Sequence, residues 1–248
     1  MRKKMIAGNW KMNKTPKEAV ELVKLLKDKV NTKESDVVFC VPAIDIIPVV
    51  QELKGTDIMV GAQNMHYEDK GAYTGELSAD MLIESGVSHV IIGHSERIAY
   101  NNETDETVNK KLKKAIEKKL TAIVCVGENL DERESGKAID VVKGQVCADF
   151  KDISNDDAKK IVIAYEPLWA IGTGKTATVE QAEEVCAAIR NIIKEIYDEK
   201  TADEIIILYG GSVNGKNAAQ LFAAADIDGG LVGGASLKEE FAQIVNYK

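Results

Sequence analysis

Three apolar runs of the chain end in an ionisable side chain. Residues 5–8 lead into Asn9-Trp10-Lys11-Met12-Asn13, residues 89–92 into Gly93-His94-Ser95-Glu96-Arg97, and residues 161–165 into Glu166-Pro167. A carboxylate at the end of a buried strand is costly unless a partner or a task stabilises it. Glu166 therefore reads as a general base, with a structural salt bridge as the alternative. His94 follows a glycine at a strand end. If Ser95 caps a short helix, the imidazole sits by the positive end of the helix dipole, which disfavours imidazolium. His89 and His94 are an odd number of residues apart, so in a continuing strand they would face opposite ways, which makes His89 structural. Lys11 supplies a positive charge directly after a strand, where a solvated surface lysine is the alternative. Asn9 by itself is an ordinary turn residue.

Two further runs end in glycine pairs, Tyr209-Gly210-Gly211-Ser212-Val213 and Leu231-Val232-Gly233-Gly234-Ala235-Ser236. Glycine lets backbone N–H groups approach an anion closely, so these loops suit a phosphate. After Pro167 come Leu168-Trp169-Ala170-Ile171-Gly172-Thr173-Gly174-Lys175-Thr176-Ala177. The Gly-Lys-Thr ending resembles a Walker A loop, but that motif needs glycine where Trp169 stands. An apolar tip between a proline and a glycine pair suits a lid that excludes water. A plain surface loop would leave Trp169 and Ile171 exposed.

These groups need a scaffold that brings strand ends together. Strand patterns cover 5–8, 36–41, 58–62, 89–92, 122–126, 161–165, 204–209 and 229–232. Helical periodicity appears between them, over 17–30, 104–119 and 179–197. Strands alternating with helices imply a parallel sheet with right-handed crossovers. A doubly wound open sheet fits that alternation too. Eight strands in ~250 residues favour an α/β fold that is a single closed (β/α)8 barrel, whose functional residues follow the strand ends on one face. The loop over 63–76 is long for a strand-to-helix connection and carries no element of its own. Thr74, Gly75 and Glu76 near its end suit a partner contact.

Of the 248 residues, 45% are hydrophobic and 29% charged, with only four prolines and no linker-like stretch. One domain over 1–248 is expected. A net charge of −8 repels nucleic acid and anionic lipid, so neither is expected as a partner. Attraction for an anionic ligand must then be local. Cys40, Cys125, Cys147 and Cys186 form no C-x-x-C pair and read as reduced cytosolic thiols. His66, His89 and His94 form no metal-binding pattern, so no metal is expected. Too short an apolar run follows the basic N-terminus for a signal peptide, and Asp45 with two prolines breaks the longest apolar region, 37–50. A cytoplasmic location is expected.

Taken in order, these strings resemble the triosephosphate isomerase family: Ala7 to Asn13, Gly61-Ala62-Gln63-Asn64, Ile92 to Arg97, Ala164 through the lid to Ala177, and both glycine-pair segments. The resemblance spans almost the whole chain. It implies reversible conversion of dihydroxyacetone phosphate to D-glyceraldehyde 3-phosphate through an enediolate, in glycolysis and gluconeogenesis, with no cofactor or metal. It further implies that Glu166 moves the proton between two carbons. Neutral His94 serves the substrate oxygens, Lys11 and Asn9 stabilise the oxyanion, and Glu96 holds the site's hydrogen bonds. Gly172, Ser212, Leu231, Gly233 and Gly234 would surround the phosphate. The lid would comprise Pro167, Trp169, Ile171, Gly172, Thr173, Gly174, Lys175 and Thr176. A proton α to a carbonyl is weakly acidic, so a carboxylate needs charge stabilisation where the enediolate oxygens develop. A closed lid strengthens those contacts.

The family resemblance also implies a homodimer, in which Thr74 reaches the neighbour's site and Glu76 pairs with the neighbour's Arg97. The chain departs from the family pattern after Arg97, where Ile98-Ala99-Tyr100-Asn101-Asn102 replaces a second arginine, an aromatic and a glycine. Asn102 can adopt the left-handed conformation of that glycine. Two other functions fit a barrel. A non-catalytic binder of phosphorylated ligands would need the glycine loops but not Glu166, His94 and Lys11. A class I aldolase would need a buried Schiff-base lysine, and none of the eight strand runs contains one.

Overall fold

The computed structural model describes residues 2–170 and 176–248. The strands are β1 (Lys4–Asn9), β2 (Ser35–Val41), β3 (Met59–Ala62), β4 (His89–Ile92), β5 (Thr121–Val126), β6 (Val162–Tyr165), β7 (Ile206–Tyr209) and β8 (Gly229–Val232). Each pairs in parallel with the next. β8 pairs back onto β1, with Met5 opposite Gly229 and Gly8 opposite Val232, so the sheet closes.

Helices fill the crossovers. They are α1 (Pro16–Leu26), α2 (Ile46–Glu52), α3 (Ala79–Glu84), α4 (Ser95–Asn101), α5 (Asp105–Glu117) and α6 (Leu130–Glu134). Then follow α7 (Ala138–Asp149), α8 (Asn155–Ala158), α9 (Val179–Ile196), α10 (Glu199–Glu204), α11 (Ala218–Ala223) and α12 (Glu240–Val245). The architecture is a (β/α)8 barrel. No helix among the described residues is long and apolar enough to cross a membrane.

Strand alternation divides the core in two. Met5, Ala7, Ile91, Ile123, Cys125 and Leu208 belong to one cluster, inside the barrel. Ile6, Phe39, Val90, Ile92 and Val124 belong to the other, shared with the helices. Residues of both parities are therefore apolar, which is why the strands read as continuous hydrophobic runs. The longest helix, α9, opens on a capping box in which Thr178 and Gln181 bond each other's backbone amides. It buries Ala182, Val185, Ile189 and Ile193 against the sheet. Each large aliphatic side chain so buried contributes about 1.5–3 kcal/mol.

Several boundaries differ from the sequence expectation. α1 stops at Leu26 rather than residue 30, although turns continue to Val30, which packs partly buried on the core. β7 begins at Ile206, because 199–204 is helical: Asp198 caps α10 by accepting from the Thr201 N–H at 2.7 Å. β1 starts one residue early, at Lys4, so a strand does hold a lysine. It lies at the end remote from the loops that carry Lys11, His94 and Glu166, where its Nζ donates to the carbonyls of Phe222 and Ile227.

The connection after β3 carries no helix or strand until α3. It is pinned by His66, whose N–H donates to the Leu77 carbonyl at 2.8 Å and whose ring packs against Tyr67 and Tyr73. Its tip exposes Thr74, Gly75 and Glu76, with Gly75 at φ +94°.

Candidate active site

The ends of β1, β4, β6, β7 and β8 open on a cleft of about 860 Å³. Asn9, Lys11, His94, Glu96 and Glu166 all line it, as do Ser212, Leu231, Gly233, Gly234 and Thr176.

Asn9 closes β1 and is 6% exposed. Its Oδ1 accepts the Lys11 N–H at 3.0 Å, which folds the chain into a tight turn with Lys11 at φ 53°. That left-handed conformation is unusual for a lysine. Gln63, from the end of β3, donates its Nε2 to the Lys11 carbonyl at 2.9 Å and to the Cys40 carbonyl at 3.1 Å, fixing the turn from the other side. The Lys11 ammonium reaches Glu96 Oε1 at 2.5 Å.

Gly93 leaves β4 at φ 71°, and a Cβ there would lie 2.9 Å from a Val108 methyl. The strand therefore breaks before His94, and facing can no longer be counted from His89. His89 keeps the inward parity of Ile91, bonded to Ser88 Oγ at 2.8 Å, and burial pushes its pKa down to about 4. The cap of α4 is His94 and not Ser95: the Glu96 N–H donates to His94 Nδ1 at 3.2 Å. Ser95 instead donates its backbone N–H to Glu166 Oε2 at 3.1 Å. An Nδ1 that accepts carries no proton, so the imidazole proton is on Nε2. That nitrogen lies 2.9 Å from Glu166 Oε1.

Glu166 directly follows β6 and extends its ladder by one bond, N–H to the Val126 carbonyl at 2.7 Å, before Pro167 ends it. The residue is 2% exposed. Burial opposes its ionisation, but the hydrogen bonds from His94 and Ser95 and the Lys11 charge outweigh burial and hold its pKa below the usual carboxylate value. Two glycines make room for it. A Cβ on Gly210 would come 2.9 Å from Glu166 Cγ, and one on Gly127 would come 1.8 Å from the Glu166 carbonyl oxygen. The Cys125 thiol beside it is driven to a high pKa by burial and by the Glu166 charge.

Past β8, Gly233 caps a short 3-10 helix over Gly234–Leu237, held by Ser236 Oγ on the Gly233 carbonyl at 2.6 Å. Past β7, Ser212 is exposed to the cleft and its carbonyl accepts from Asn217. Lys238 also lines the cleft and adds a second cation there. An exposed lysine in extended conformation between Leu237 and α12 carries no sequence signal that would single it out.

Of the expected lid, Pro167 is buried, while Leu168 and Ala170 line the cleft. Trp169 is half-buried and packed on the core, not exposed, and its Nε1 donates to Glu128 Oε1 at 2.8 Å. Ile171, Gly172, Thr173, Gly174 and Lys175 lie outside the described residues. Glu128 was missed from sequence. It is fully buried after β5 and also accepts from the Tyr165 hydroxyl at 3.0 Å. Its place, two residues past a strand end, was the available signal.

Thr74, Gly75, Glu76 and Arg97 do not line the cleft. Arg97 Nε bonds Glu103 Oε1 at 2.6 Å, and Lys111 binds the same carboxylate at 2.5 Å and Asn64 at 2.7 Å. Asn102 does take the left-handed conformation, φ 55°, and ends α4 with its N–H on the Arg97 carbonyl.

The family model described as triosephosphate isomerase matches residues 4–248. Among curated relatives, a triosephosphate isomerase of Clostridium botulinum (strain ATCC 19397 / Type A) is 58% identical over 248 residues, all of both chains. That of Acetivibrio thermocellus is 57% identical over 247 residues, 99% of this chain and 98% of the relative. That of Alkaliphilus oremlandii (strain OhILAs) is 54% identical over the full length of both. The chain belongs to the triosephosphate isomerase family.

Proposed function

We propose that the chain interconverts dihydroxyacetone phosphate and D-glyceraldehyde 3-phosphate. The observation that carries this reading is the contact of His94 Nε2 with Glu166 Oε1 at 2.9 Å, in a cleft that also holds Lys11. The Glu166 carboxylate takes the proton from the carbon beside the carbonyl. The electron pair left behind forms the enediolate, and the same carboxyl returns the proton to the neighbouring carbon. His94 donates from Nε2 to the developing oxyanion and carries the hydroxyl proton from one enediolate oxygen to the other, so that the old carbonyl becomes a hydroxyl and the old hydroxyl the new carbonyl. Lys11 and Asn9 add charge and hydrogen bonding there, where preorganised donors supply most of the rate. Glu96 acts indirectly, holding the Lys11 ammonium and, through its N–H, the His94 tautomer.

Ser212, Gly233 and Gly234 hold the phosphate, with Leu231 as an apolar wall and Gly172 added by its place in the family strings. The segment from Pro167 to Thr176 closes over the substrate, and a closed site keeps water from the enediolate. Residues 1–248 act as one domain in the cytoplasm, and the protein needs no partner beyond a second copy of itself. The homodimer is supported by exposed apolar side chains, Met12 at 97%, Ile44 at 68%, Ile47 at 56% and Met81 at 53%. Thr74, Gly75 and Glu76 meet that face of the neighbour, and Glu76 competes with Glu103 for the neighbour's Arg97.

Purified protein supplied with glyceraldehyde 3-phosphate, with product read by a coupled dehydrogenase, tests the reading. Rapid conversion is expected. Folded protein that converts none would leave a phosphate-binding barrel in its place.

A further inference from the structure

We propose that Gln145, on α7, is a positioning residue for Glu166, an inference that rests on Glu166 being the base. On the side that Gly127 faces, β5 has lost its neighbour: its last partner on β4 is Ile92, opposite Val124, whereas on the other side Glu166 and Leu168 still donate to the carbonyls of Val126 and Glu128. The N–H and C=O of Gly127 are thus beyond the strand ladder. Gln145 supplies both partners. Its Oε1 accepts the Gly127 N–H at 2.9 Å, and its Nε2 donates to the Gly127 carbonyl at 3.1 Å. One side-chain amide replaces a missing strand residue.

The peptide so held bears directly on the base. Gly127 packs so close to Glu166 that a Cβ would fall 1.8 Å from its carbonyl oxygen, 2.7 Å from its carbonyl carbon and 2.9 Å from Leu168 Cδ1. The next residue, Glu128, holds Trp169 Nε1 and, through its own carbonyl, the Leu168 N–H at 3.0 Å. A cavity of about 130 Å³, lined by Gly127, Gln145, Cys125, Ile98, Leu168 and Glu166, lies beside this contact. Close packing alone does not fill the space behind the base, so the Gln145 clamp sets where Gly127, and with it Glu166, comes to rest. No other side chain among the described residues bonds the Gly127 amide and carbonyl.

The test is Gln145→Met, which keeps length and volume but removes donor and acceptor. A misplacement of the base by a fraction of an ångström to 1 Å lowers kcat by about tenfold to a hundredfold. Competitive inhibition by glycerol 3-phosphate, which needs the phosphate loops and not the base, is expected to change less than about twofold, since uniform binding is untouched. Gln145→Glu guards against a folding defect. Its carboxyl can donate to the Gly127 carbonyl only when protonated, so the ratio of variant to wild-type kcat should fall as pH rises through the carboxyl's range, from about 4 to 6. A folded Gln145→Met with wild-type kcat, a parallel loss of turnover and inhibitor binding, or a pH-independent Gln145→Glu ratio would each overturn the inference. Wild-type protein without isomerase activity would instead overturn the reading of Glu166 as base.

Discussion

The Nε2 of His94 lies 2.9 Å from Oε1 of the Glu166 carboxylate, so the acid and the base of the proposed reaction occupy each other's working atoms. A bound carbonyl oxygen must take the Nε2 proton donor from Glu166, and in doing so frees Oε1 for the adjacent C–H. In the proposed reaction, substrate entry and activation of the base are then one event.

Replacing Glu166 by Gln keeps the shape and the Ser95 contact but removes the base. Turnover should drop by about 10²–10⁴, the usual contribution of a positioned base, while glycerol 3-phosphate still inhibits. Equal loss of both in steady-state assays would make Glu166 a structural residue. In the wild type the acid limb of kcat/KM should lie below pH 4.5, because the folded site holds this carboxyl under that value.

Lys11→Ala should raise KM and lower kcat together, since in the proposed reaction the ammonium serves both the phosphate and the oxyanion. Unchanged kinetics would remove it from the site. The variant also releases Glu96, its partner at 2.5 Å, so activity should not return when Glu96→Gln is added.

Deleting residues 72–76 from the long loop should yield monomers in sedimentation velocity at micromolar concentration. A shortened protein that remains dimeric there would mean that the face with Met12 and Ile44 joins by other contacts.

His89 makes stability depend on pH. Its pKa is about 4 when folded and 6.5 as a free side chain, so the unfolded chain binds the extra proton first as pH falls. Stability attributable to this group is complete above pH 6.5 and is lost between 6.5 and 4. The loss approaches about 3 kcal/mol. Urea unfolding of His89→Gln should show a shallower slope across that window; an identical slope would assign the acid lability elsewhere.

The barrel and most of the cleft were legible because a parallel barrel places its working groups after strand ends, and Asn9, Lys11, His94 and Glu166 all stand there in the sequence. What was not legible depends on backbone partners. Ser95 looked like the cap because serine is favoured at that position; His94 took the role because Gly93 turns the chain and brings Nδ1 over the Glu96 amide. Gln145 has no strand-end position, and its partner is a main-chain group, which leaves no trace in residue type. The Lys11 turn was equally silent, since its unusual backbone comes from the side chains of Asn9 and Gln63.

The β1–β8 pairing has a consequence for how the protein is made. Residues 4–9 are made well before residues 229–232, so one edge of that strand stays bare until the last strand follows. For most of synthesis, the strand that leads to Lys11 is an open β-edge of the kind that recruits other chains. A chain that lacks residues 229–232 has no closed sheet, and the bare edge of its first strand is open to pairing with another chain.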